Sequence, residues 1–169
     1  MKPKVHILAR EVIEDTRYFL LAYFRYAVYT FLPCGHVDSG EGLVTCFRRD
    51  LRGELGVLSR VGTYLGAVEH VWHDVAGSHD EINHFFEVSS PHLTSMAQVT
   101  SCELTLEFLR VHQREFDRDD LQPAPFRALL TAEPHGSVGG WWVSTGVMRA
   151  FPPGTIGVMR TGGNVRLKL

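Results

Sequence analysis

The chain has 169 residues, of which 44% are hydrophobic and 21% charged, with a formal net charge of −2. Such a length suits one domain with a full core, and such a balance is that of an ordinary globular protein. The near-neutral charge argues against a nonspecific nucleic-acid surface, which needs a basic face, and no apolar run is long enough to span a bilayer.

In chain order, residues 5–10 mix β-branched and alternating side chains and predict a strand. Residues 11–17 are charged and read as a turn. Residues 18–24 are apolar on both alternating sets, which predicts a central strand buried on two faces. A short connection leads to a brief strand at 30–32 that stops at Pro33. A glycine-rich turn then opens a segment with helical periodicity. Residues 65–72 and 81–88 are rich in β-formers and flank a turn at 74–78, so they pair as a hairpin. Residues 89–101 read as a loop, 103–111 as an alternating strand and 116–121 as an acidic turn. A closing helix covers 126–132, with Pro123 near its first turn.

The tail from 134 is punctuated by Gly136, Gly139, Gly140, Pro152, Pro153, Gly154, Gly162 and Gly163, which break any long element. Short strands fit 142–147 and 155–160. The pair Trp141–Trp142 suits a core edge or a dimer surface, which leaves a homodimer open. Cys34, Cys46 and Cys102 are an odd number without paired spacing. They read as free thiols of a reducing cytoplasm, an expectation that the absence of a signal-peptide core in residues 1–10 shares.

The chemistry concentrates in residues 35–57. At about 100° per residue, Phe47, Leu51, Val44, Leu55 and Leu58 fall on one arc of a helix. Asp50 and Glu54 lie beside that arc, four residues apart, so both reach one point in space. Two hard oxygen donors at one point suit a hard divalent cation such as Mg²⁺. The competing reading is an amphipathic helix whose acidic edge is only solvated.

This stretch resembles the Nudix box, Gly-x5-Glu-x7-Arg-Glu-U-x-Glu-Glu-x-Gly-U, where U is a bulky aliphatic. Gly35, Glu41, Arg49, Leu51, Glu54, Gly56 and Val57 stand in register. The run Phe31-Leu32-Pro33-Cys34-Gly35-His36-Val37-Asp38-Ser39-Gly40-Glu41 is similar to the family's Phe-Leu-Pro-Gly-Gly-His-Val-Glu-x-Gly-Glu. Two positions depart from the pattern: Asp50 replaces a glutamate, and Gly53 replaces the first glutamate of the pair. The resemblance covers residues 4 to about 132, with its specific motif in 31–57.

The resemblance implies one Nudix-like domain over 1–169, an α/β (α+β) chain folded as an α/β/α sandwich with a central mixed sheet, and hydrolysis of a diphosphate linked to some group X. It implies Mg²⁺ as cofactor, with Mn²⁺ as a substitute, and a nucleoside di- or triphosphate as substrate. By the same analogy Glu54 is the main metal ligand and Asp50 the second ligand or the group that orients water. Gly35 adds a backbone carbonyl, and His36 contacts phosphate. Glu41 and Arg49 pair to hold the loop against the helix. One more carboxylate from outside the box is expected, with Glu103 first and Glu81 and Glu69 next. Base stacking falls to an aromatic among Phe24, Tyr26, Tyr29, Trp72 and Trp141. The histidines at 70, 73, 79 and 84 lack a defined zinc-ligand spacing. The alternative is a degenerate domain that binds nucleotide with little turnover, since Asp50 and Gly53 thin the metal site.

Overall fold

The structure is a computed structural model that describes residues 5–75, 77–94, 97–132, 141–144 and 158–160. The predicted strand pieces at 145–147 and 155–157 and the residues 133–140 lie outside the described residues. Among the described residues the strands build a six-stranded and a five-stranded sheet.

The larger sheet is built around β1, Val5–Val12. It runs antiparallel to β5, Cys34–His36, and parallel to β7, Gly77–Ser89. β7 forms a long hairpin with β6, Arg60–Asp74, and β6 pairs in parallel with β10, Trp141–Ser144. An antiparallel edge strand, β11, covers Val158–Arg160. The smaller sheet is organised by β3, Tyr18–Phe24, which pairs along its whole length with β8, Leu106–His112. Short strands β2, Glu14–Asp15, β4, Thr30–Phe31, and β9, Leu121–Gln122, complete it.

Successive side chains of a strand point to opposite faces, and β1 uses both. Ala9 and Ile13 join clusters that contain Phe47, Leu51 and Leu55 of helix α1, Leu43–Leu55. Val12 joins the cluster that contains Phe126 and Leu130 of helix α2, Pro125–Thr131. The two helices therefore flank the sheet layers, as the sandwich expectation requires. β3 also contributes to both cores, through Phe19 and Leu21 on one side and Leu20 on the other.

α1 starts at Gly42 without a side-chain cap and stops at Gly56, whose φ of 67° places it in the left-handed region that glycine tolerates. Phe47 and Leu51 are fully buried and contribute about 2 kcal/mol each to docking the helix. The predicted apolar arc is too wide at both ends. Val44 is exposed in the first turn, and Leu58 lies beyond the helix and is exposed. Cys46 occupies the buried face instead. α2 ends the acidic turn through Arg127, which donates to the Leu121 carbonyl and to Asp117 and Asp120.

Two of the boundaries that move bear on the site. The predicted turn at 11–17 loses its first two residues to β1, because Glu11 and Val12 continue the strand. The strand expected from 103 begins at Leu106, since residues 102–105 bend toward α1. In the tail, Val143 is buried in the main core while Trp142 is half exposed, so the tryptophan ring is not what seals that edge. The side chain of Trp141 lies outside the described residues.

Candidate active site

β5 hangs on the edge of β1, with Ala9 opposite Gly35 and Arg10 opposite Cys34. The chain then turns through Gly40, at φ 82°, and enters α1. Arg49, two turns into the helix, gathers that loop. Its Nε and Nη2 donate to the two carboxylate oxygens of Glu41 at 3.0 and 2.8 Å. Nη2 also donates to the His36 carbonyl at 2.9 Å, and Nη1 donates to Asp50 at 2.6 Å. Glu41 accepts as well from the Asp38 amide. A bidentate guanidinium–carboxylate pair with this support fixes orientation as well as distance. The Arg49 contact, first, and the amide hold the Glu41 carboxyl down at about 2.

Asp50 turns its carboxylate back toward β5. The Cys46 thiol donates to its Oδ2 at 3.2 Å. A Cβ placed on Gly35 would stand 1.3 Å from that same oxygen. Glycine is required at 35 because the Asp50 carboxylate fills the space where any side chain would begin. Burial raises the Asp50 pKa, against the opposing pull of Cys46 and Arg49.

Glu54 lies one turn further along the same face. Its Oε2 is buried without a hydrogen-bond partner among the described residues. Its carboxyl is pushed up to about 8, by burial first, then by the charge of Asp50, then by that of Glu103. The Glu54 carbonyl accepts from the Cys102 amide at 2.6 Å, which ties the segment before β8 to the end of α1 and sets Glu103 nearby. Of the three carboxylates expected from outside the box, only Glu103 acts on Glu54. Glu81 sits within 3.9 Å of Arg10 and accepts from Trp72. Glu69 lies on β6 beside Ile82 and is not among the groups that shift Glu54.

The residue that the sequence reading passed over is Glu11. It is fully buried on β1, and both of its carboxylate oxygens lack a hydrogen-bond partner among the described residues. Its pKa is raised well above its ordinary value by burial, then by Glu54, then by Asp50; the pull of its own amide and of Arg10 is smaller. The signal was present: Val12 and Ile13 continue an apolar run past it, so a lone acid inside that run is a buried acid, not the start of a turn.

His36 has an exposed side chain, with its ring edge-on to that of His6. The Cys34 thiol is pushed up to about 12, chiefly by burial, and is a poor nucleophile. Among the aromatics, Trp72 is stacked on His79 with ring centroids 4.0 Å apart, while Tyr26 is almost fully exposed. No helix among the described residues is long and apolar enough to cross a membrane.

A divalent cation fits the chemistry of the α1–β1 seam. The donors are hard carboxylate oxygens, and three of them, two on Glu11 and one on Glu54, are buried and unpaired. After burial, Asp50 and Glu103 raise the Glu54 pKa, and Glu54 and Asp50 raise that of Glu11, a charge imbalance that a cation relieves. Among the described residues no group of three such side chains surrounds a single point.

Comparison with known proteins bears on this arrangement. Among solved structures, the chain is similar to the Escherichia coli ORF135 protein, with 24% identity, TM-score 0.57, and 79% of this chain and 96% of that one covered. It is similar to the MutT protein from Methanosarcina mazei Go1, with 20% identity, TM-score 0.60, and 77% and 93% covered. A Caenorhabditis elegans Ap4A hydrolase matches at 16% identity and TM-score 0.54, with 74% and 92% covered. At these identities the likeness is one of fold. No curated protein matches the sequence. The family model for the NUDIX domain matches residues 7–131, the span that contains most of β1, Glu11, Glu54 and α2, and the chain belongs to that family.

Proposed function

We propose that this protein is a divalent-metal-dependent hydrolase that cleaves the diphosphate linkage of a nucleoside di- or triphosphate or a related derivative. The observation that carries the reading is the unpaired, buried oxygen of Glu54 beside Asp50, on the helix face that opens toward Gly35. In the reaction water attacks one phosphorus, the bridging P–O bond breaks, and the phosphate leaves on the bridging oxygen. A bound Mg²⁺ or Mn²⁺ supplies charge neutralisation at the bridging and leaving oxygens.

The chain's own residues do the rest. Glu54 and Asp50 hold the cation, with the Gly35 carbonyl as a main-chain donor. Glu41 and Arg49 keep the 36–41 loop against α1, so that Gly35 and Asp50 stay in place. Glu103, close enough to act on Glu54, orients the attacking water, and His36 meets phosphate from the exposed side of the loop. Misplacing these groups by 1 Å costs on the order of a hundredfold in rate.

A second reading has its own observation. Asp50 is already engaged by Arg49 and Cys46, and Gly53 leaves a ligand position empty. This favours a domain that binds nucleotide and turns it over slowly. Phosphate release from a panel of nucleotides, with and without Mg²⁺ or Mn²⁺, separates the two. The first reading expects metal-dependent release from at least one nucleotide; binding without release on the whole panel sinks it.

A further inference from the structure

We infer that Glu11 is a metal-binding carboxylate of this protein, supplied by strand β1 where helix α1 has Gly53 in place of an acid. The inference rests on the proposed reading of α1 as the metal-bearing helix and adds a ligand to it.

Three observations converge. First, Glu11 has no solvent exposure, and neither carboxylate oxygen has a partner among the described residues. Burying an unpaired carboxylate is among the most costly things a fold does with one side chain. Its alternate neighbours, Ala9 of β1 and Ile13 one residue past the end of that strand, join the apolar clusters that contain α1 side chains. An apolar residue at 11 would serve the packing better, so the carboxylate is kept for something that the bare protein lacks.

Second, the charges that act on it most have the wrong sign for a structural pair. Glu54 and Asp50 dominate its electrostatic surroundings, in that order. The nearby cation, Arg10, is spent elsewhere: its Nε donates to Asn83 at 2.8 Å, it reaches the Leu32 carbonyl, and its guanidinium lies over the Phe126 ring. Third, the Glu11 amide donates to the Pro33 carbonyl at 2.9 Å, so its backbone is fixed two residues from Gly35. The acid on the strand thus faces the helix that carries Glu54, and its backbone is held two residues from Gly35. Gly53 stands on the open side of α1, where an added Cβ meets nothing within 4 Å. The carboxylate that the helix omits on its outer side is replaced from beneath.

The test uses the full chain, stripped of metal by chelation, with Mn²⁺ alone as probe. Mn²⁺ affinity is read by electron paramagnetic resonance, and the rise in Tm on adding Mn²⁺ by thermal unfolding. Glu11→Gln is expected to weaken Mn²⁺ binding by about tenfold or more and to lose most of the Mn²⁺-dependent rise in Tm. Its metal-free Tm is expected to equal or exceed that of the wild type, since an unpaired buried acid has been removed. Glu11→Asp, which keeps the charge, is expected to bind more tightly than Glu11→Gln. Should Glu11→Gln fail to fold, Glu11→Leu carries the same measurements. Wild-type Mn²⁺ affinity in Glu11→Gln, alongside lost affinity in Glu54→Gln, overturns this inference and leaves the proposed function standing. Wild-type affinity in both variants overturns the two together.

Discussion

Glu41 and Glu54 are the same residue type, thirteen positions apart, and the fold treats them in opposite ways. Glu41 sits in the loop, meets a bidentate guanidinium and a backbone amide, and is held down at about 2. Glu54 sits in the α1–β1 seam among other acids, meets no donor through Oε2, and is pushed up to about 8. A carboxylate whose partners are built in is structural. One whose partners are missing is, on the proposed function, a cation ligand. Arg49, which donates to Glu41, to Asp50 and to the His36 carbonyl, ties the loop to the helix that carries Glu54.

The sharpest way to break the comparison is Glu54→Gln. Removing a main ligand costs several kcal/mol of charge stabilisation, so kcat/KM should fall by about a thousandfold, measured as phosphate release at saturating Mg²⁺. An unchanged rate would mean that Glu54 is only a raised, buried acid. Next in size is Gly35→Ala. The new methyl would overlap the Asp50 carboxylate, 1.3 Å from Oδ2. Overpacking of this kind costs about 1–3 kcal/mol, seen as a lower Tm, and displacing Asp50 should cost on the order of a hundredfold in rate. If Gly35→Ala kept both Tm and rate, Asp50 would have to swing freely, and its pairing with Arg49 and Cys46 would be incidental.

These residues differ in how legible they were in the sequence. The box gave Gly35, Glu41, Arg49, Asp50 and Glu54 by register, because fixed offsets along one turn and one helix encode their meeting. The hairpin of β6 and β7 and the doubly buried β3 were legible for the same reason: strand alternation and turn residues are local. The burial of Glu11 was legible in the apolar residues that follow it, but its place beside α1 was not, because that depends on a strand and a helix about forty residues apart in the chain. A charge in the run 11–17 looked like a turn as long as nothing showed the helix lying on it. The choice among Glu103, Glu81 and Glu69 was equally tertiary. It turns on the Cys102–Glu54 contact, which ties the 101–105 bend to α1, and on Arg10, which occupies Glu81.

The pH dependence of stability sharpens the comparison further. Glu41 has a depressed pKa, so its contribution is present above its ordinary 4.5 and is lost as pH falls toward about 2. Glu54 has a raised pKa, so its contribution is complete below 4.5 and is lost as pH rises through about 8. The metal-free protein should therefore lose Tm on both sides of mildly acidic pH. Glu41→Gln should flatten the acid limb alone, and Glu54→Gln the alkaline limb alone. Added Mn²⁺ should raise Tm mainly on the alkaline side, where the seam is charged. An alkaline limb that ignores both Glu54→Gln and Mn²⁺ would place the titrating group elsewhere.

The smallest expected effect is at Gly53, where backbone propensity and ligand chemistry can be separated by two substitutions. The residue lies in the interior of α1, and a Cβ there enters open space. Gly53→Ala should therefore stabilise the helix by about 0.5–1 kcal/mol, a rise in Tm of a few degrees, with no change in rate or in Mn²⁺ affinity. Gly53→Glu adds most of that helix propensity together with a carboxylate next to Glu54. Its Mn²⁺ affinity should exceed that of Gly53→Ala, because only the charge differs in kind between the two. Equal affinities would mean that an acid on the outer side of α1 does not reach the metal site proposed for Glu11 and Glu54. A fall in Tm for Gly53→Ala would mean that the helix needs glycine at 53 for a close approach that the bare chain does not make.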